Sequence, residues 1–79
     1  MDEIKQVYWK IGDVADMIGR EQSAIRFWLS KTNIKMKVDS RGHRKFTAEQ
    51  VEIIKEINKL LTVDRYTIMG ALMKLNLYA

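Results

Sequence analysis

Apolar residues recur along most of this chain at the spacing of an α-helix. Ile11, Val14, Ala15 and Ile18 fall at i, i+3, i+4 and i+7, one face of a helix, and the spacing predicts a first helix from Ile11 to Ile18. Asp13 lies in its first turn, where a carboxylate complements the helix dipole. Gly19 follows, a residue whose backbone takes φ > 0 and ends a helix in a sharp turn. Ile25, Trp28 and Leu29 form the apolar face of a second helix, from Gln22 to Ser30. The period then changes to two. Ile34, Met36 and Val38 alternate with Lys35, Lys37 and Asp39, the pattern of a half-buried strand. Asp39, Ser40 and Gly42 are turn residues, and His43 to Phe46 returns as a second strand with Phe46 pointing inward. Thr47 and Gln50 predict a capping box that opens a third helix, whose stripe is Val51, Ile54, Ile57, Leu60 and Leu61. Glu52 and Glu56 face Lys55 and Lys59 on its solvated side. Val63 to Tyr66 breaks the pattern. Thr67 caps a final helix with Ile68, Ala71, Leu72 and Leu75 as its buried stripe, and Gly70 within it leaves room for a close neighbour. Met1 to Gln6 reads as a frayed end.

Two helices joined by a short Gly-containing turn form a helix-turn-helix, whose second helix is shaped to enter a DNA major groove. A basic hairpin directly after it makes a winged helix. The expected fold is mainly α: about four helices with a small β-hairpin wing over 39–46, a single domain over 1–79 with an ordered core over about 8–76.

Composition narrows the chemistry. The chain has 79 residues, no cysteine and one histidine, so disulfides, thiolate metal sites and His-rich metal sites are excluded. No metal or cofactor is expected. Uninterrupted apolar runs are too short to span a membrane. The opening MDEIKQ is acidic and polar, unlike a signal peptide, which implies a cytoplasmic protein. The net charge is only +4, but its placement is uneven. Between Arg20 and Phe46 eight Lys/Arg face two acids, whereas the remainder holds six bases and eight acids. Concentrated basic charge is the footprint of a polyanion binder. Catalysis has no support: there is no Gly-rich phosphate loop and no metal-spaced carboxylate set. Asp13 with Asp16, and Glu52 with Glu56, sit on exposed helix faces, where carboxylates are ordinarily just solvated. The chain reads as a binding protein rather than an enzyme.

Steps of about 100° around the second helix put Trp28, Leu29 and Gln22 near the buried face and Ser23, Arg26, Phe27 and Ser30 away from it. Arg26 can bond guanine O6 and N7 or hold a phosphate; its alternative is an ion pair with Asp13, Asp16 or Glu21. Gln22 and Ser23, near the helix start, reach base edges or phosphate oxygens. Phe27 either packs against the wing or a neighbouring loop, or meets a sugar or thymine methyl. Arg41, His43, Arg44 and Lys45 form a basic hairpin tip suited to phosphate or a narrow minor groove.

With those residues placed, the chain resembles the DNA-binding domain of the MerR family of bacterial transcription regulators over about residues 8 to 76. Tyr8-Trp9-Lys10-Ile11-Gly12-Asp13-Val14-Ala15 through Gly19 resembles the opening motif of that family. Ile25-Arg26-Phe27-Trp28 resembles its recognition-helix motif, and Ser40-Arg41-Gly42-His43-Arg44-Lys45-Phe46-Thr47 its wing. The resemblance implies double-stranded DNA as partner. Arg26 and Phe27 would be recognition contacts and Arg44 the wing contact, supported by Arg41 and His43. Tyr66-Thr67 would open a fourth helix that approaches phosphate. It further implies a homodimer through segments missing here, and RNA polymerase as a partner if the chain is part of a full-length regulator. Three positions depart from the family pattern. Arg20-Glu21-Gln22 replaces an apolar-Ser-Pro run, which weakens the cap of the second helix. Leu29 stands where Glu is usual, and Arg65 where Gly is usual. An excisionase-like or phage architectural DNA-binding factor, or a protein-interaction module that retains the fold, are the alternatives.

Overall fold

A computed structural model describes residues 7–78; the frayed end expected at 1–6 lies outside them. Four helices and one hairpin follow in the order α1 (Ile11–Ile18), α2 (Gln22–Ser30), β1 (Lys37–Val38), β2 (Arg44–Lys45), α3 (Ala48–Thr62) and α4 (Ile68–Lys74). This is the winged helix-turn-helix that the hydrophobic pattern predicts. Gly19 closes α1 at φ 68°, and the amides of Gly19 and Arg20 both donate to the Ala15 carbonyl, so the chain turns within three residues. The core is built from one side of every helix: Val14 of α1, Ile25 and Trp28 of α2, Ile54 and Ile57 of α3 and Leu72 of α4, together with Phe46.

The hairpin is shorter than the alternation predicts. Lys37 pairs with Lys45 and Val38 with Arg44, and the next hydrogen-bonded pair of that register would join Lys35 to Thr47. The Thr47 groups are already engaged. Its amide donates to Gln50 Oε1 at 3.0 Å, its hydroxyl accepts from the Gln50 amide at 3.2 Å, and its carbonyl accepts from Val51. Gln50 Nε2 donates to the Lys35 carbonyl at 3.3 Å. The capping side chain thus takes the place that Thr47 would have held in the ladder, and α3 begins where the sheet stops. Val38 reaches past the core and is 59% exposed, so only Ile34 and Met36 of the alternating set lie half-buried.

A third segment completes the wing. Trp9 and Phe46 exchange both backbone hydrogen bonds at 2.9 Å, which ties the lead-in of α1 to the end of β2. At the far end, Asn33 donates to the Leu77 carbonyl at 2.9 Å, so the last residues close against the end of α2. The glycine at position 70 makes room for its own helix cap rather than for another helix. A Cβ there would stand 3.0 Å from Thr67 Oγ1, the hydroxyl that accepts from the Gly70 amide.

Arg65 occupies a backbone conformation suited to glycine. It sits at φ 61°, a left-handed conformation that costs a residue with a Cβ roughly 1–2 kcal/mol. Arg65→Gly is expected to raise stability by about 0.5–1 kcal/mol, the strain relieved less the extra chain entropy of glycine. Chemical denaturation reads it as a higher midpoint at unchanged slope; a lower midpoint would show that the Arg65 side chain contributes more than its backbone loses.

Candidate nucleic-acid interface

The exposed side of α2 and the wing face each other across an open trough of about 730 Å³. Arg26 and Gln22 enter it from α2, one helical turn apart. Arg26 Nη2 donates to Gln22 Oε1 at 3.1 Å, and no acid takes the guanidinium in an ion pair among the described residues. The expected alternatives for Arg26, pairing with Asp13, Asp16 or Glu21, are therefore not what the fold makes. Gln22 is exposed rather than turned toward the core. It is the first residue of α2 and lies over Gly12, where an added Cβ would stand 3.3 Å from Gln22 Nε2. From the wing, His43 and Arg44 line the same trough, and Lys10 reaches it from the start of α1. Lys10 and the adjacent Asp13 line the trough without having been candidates for it. For Lys10 the signal available was its place directly before a helix that packs on α2.

Asp39 holds the wing tip in shape. Its Oδ1 accepts from the Arg41 amide at 2.8 Å and from the His43 amide at 2.9 Å. Its own amide donates to the His43 carbonyl at 2.8 Å. His43 Nδ1 stands 3.9 Å from Asp39 Oδ2. The bond from the His43 amide favours the ionised carboxylate and holds Asp39 below its ordinary value, against a smaller opposing effect of burial and with help from the Arg41 amide. Arg41 itself is exposed at the tip and does not line the trough.

The remaining candidates stand elsewhere. Ser23 is exposed on α2 outside the trough. Phe27 is 48% exposed and does not line the trough between α2 and the wing. It borders a second, apolar groove of about 240 Å³ with Ile68, Met69 and Leu72 of α4 and with Tyr78. Lys31 Nζ lies 5.6 Å from its ring centroid. Tyr66 precedes α4, with Lys74 Nζ 5.8 Å from its ring. Lys45 is half-buried and turned from the trough toward Tyr8.

A family model described as MerR HTH family regulatory protein matches residues 9–76. The chain belongs to the MerR family. That family is one of non-enzymatic, DNA-binding transcription regulators, so the helix-turn-helix of this MerR domain is a DNA-binding element. No curated protein matches the chain. No helix among the described residues is long and apolar enough to cross a membrane, and no group of three or more His, Asp or Glu comes together there as a metal set.

The Asp39 carboxylate makes the wing tip sensitive to acid. Its carboxyl is depressed in the folded state, so its contribution is complete above the ordinary aspartate value of 3.8 and is lost as pH falls through the lower folded value. The Arg41 and His43 amide resonances should titrate together with a midpoint below 3.8, and the tip should loosen with them. A midpoint at or above the ordinary value would mean that the carboxylate does not hold these amides in solution.

Proposed function

We propose that this MerR-family domain binds double-stranded DNA sequence-specifically, with α2 in the major groove and the wing over 39–46 on the backbone or in the adjacent minor groove. The supporting observation is the convergence of Gln22, Arg26, His43 and Arg44 on one trough between the helix and the hairpin. A nine-residue helix spans roughly 14 Å, which suits a major groove about 12 Å wide. In this reading Arg26, steadied by Gln22, is the base reader, because a guanidinium matches guanine O6 and N7. Ser23 and Phe27 flank it, the serine as a polar contact and the ring against sugar or a thymine methyl. Arg44, His43 and Arg41 hold the backbone, and Lys45 adds charge beside them. Tyr66, at the start of α4, lies toward a more distant phosphate. Pairing of two copies on a pseudo-palindromic site, and engagement of RNA polymerase, belong to the same proposal for a regulator that carries the necessary further segments.

Selection of bound sequences from a random duplex pool, followed by salt titration on the selected site, tests the reading. Affinity should fall steeply with salt as counterions are released. Arg26→Ala should cost about 1–3 kcal/mol on the selected site and much less on random duplex. Arg44→Ala should weaken binding to all sequences alike and make the salt dependence shallower by about one contact. Equal losses for Arg26→Ala on both duplexes would reduce that residue to a phosphate anchor. Binding that ignores salt would rule out the DNA reading altogether.

A further inference from the structure

The two faces of the wing differ in chemistry. Successive residues of a strand point to opposite faces, so the Val38–Arg44 pair borders the trough and the Lys37–Lys45 pair faces away from it. Like charges directly opposite on two strands repel, and this ladder has only two residue pairs to absorb the repulsion. The arrangement works against the hairpin that carries it. Both lysines converge on one aromatic ring. Lys45 Nζ lies 5.1 Å and Lys37 Nζ 5.9 Å from the Tyr8 centroid, within cation–π reach. The Trp9–Phe46 pairing places Tyr8 there. Trp9 packs against the core, and its neighbour therefore falls on the opposite face. Among the described residues no carboxylate pairs with either lysine, and the nearby Asp39 is committed to the tip amides. A ring face offsets the repulsion and gathers the two ammonium groups without neutralising them, as a carboxylate would.

The geometry points to a phosphate-binding site on this outer face of the wing, formed by Lys37 and Lys45, with Tyr8 as the residue that positions both. The site rests on the DNA reading above and extends it. A minor groove is only about 6 Å wide and is walled by a phosphate backbone on each side. A hairpin entering it edge-on presents Arg44 to one wall and the Lys37–Lys45 pair to the other. The wing then grips both strands, where the trough alone reaches one.

Salt titration of mixed-sequence duplex binding tests the site, with circular dichroism confirming that each variant is folded. Lys37→Gln and Lys45→Gln should each make the slope of log affinity against log salt shallower by about 0.9. Tyr8→Leu, which leaves both lysines in place, should weaken binding roughly two- to fivefold, and Tyr8→Phe should restore it. In the Lys37→Gln/Lys45→Gln background Tyr8→Leu should have no further effect. An equal loss in both backgrounds would mean that Tyr8 acts only through the fold of the wing, and unchanged slopes for the lysine variants would remove the site. Loss of binding with Arg26→Ala or Arg44→Ala but not with the lysine variants would overturn this inference alone. Failure of the unaltered chain to bind any duplex would overturn it together with the DNA reading.

Discussion

The wing and the helices are joined at Phe46, and the geometry of the proposed DNA-binding face depends on that junction. The Phe46 side chain is fully buried, a burial that stabilises by about 1.5–3 kcal/mol. Its backbone is bonded in both directions to Trp9. The next residue, Thr47, already belongs to the cap of α3. One position thus fixes three things: the root of the hairpin, the start of α3 and the path of the chain into α1. The hairpin has too few pairs to be stable alone. It holds its angle to α2 because Phe46 is part of the same core as Trp28 and Ile25. Arg44 stands only two residues from that anchor, which is why a wing side chain can be held facing Arg26 without any direct bond between them.

The helices were legible in the sequence because each is specified locally. Ile11–Ile18 and Gln22–Ser30 follow from a 3.6-residue apolar period interrupted at Gly19. The starts of α3 and α4 follow from Thr47 and Thr67, whose side chains accept from the amides three residues on. The features that escaped are set by contacts distant in sequence. The ladder ends early because Gln50, fifteen residues from Lys35, serves two partners at once. Phe27 shares its groove with Ile68 and Met69 of α4, residues far along the chain that no local pattern around α2 indicates. Lys10 and Tyr8 precede the first helical stripe, and only the pairing of Trp9 with Phe46 shows which face of the wing each one joins. Candidate side chains can be chosen from residue type and helix angle. Their grouping cannot, because it depends on where the hairpin folds back.

The departures from the family pattern tell a consistent physical story about α2. Glu21 at its N-cap makes no side-chain capping bond, so the helix lacks a contribution that a serine there would supply at about 1 kcal/mol. Packing compensates. Leu29, one of the departures from the resembled pattern, is buried at 8% exposure and extends the apolar face beside Ile25 and Trp28. Arg20, in the turn, lies 5.3 Å from the Trp28 ring centroid, which covers the indole from the solvent side. Orientation of α2 is therefore carried by the side it buries and by the turn that precedes it. The side-chain hydrogen bonds of its exposed side are Gln22–Arg26 and the Ser30 hydroxyl to the Phe27 carbonyl, and neither ties α2 to another element. A helix anchored this way can change the residues of its exposed side without disturbing the angle at which the core holds it.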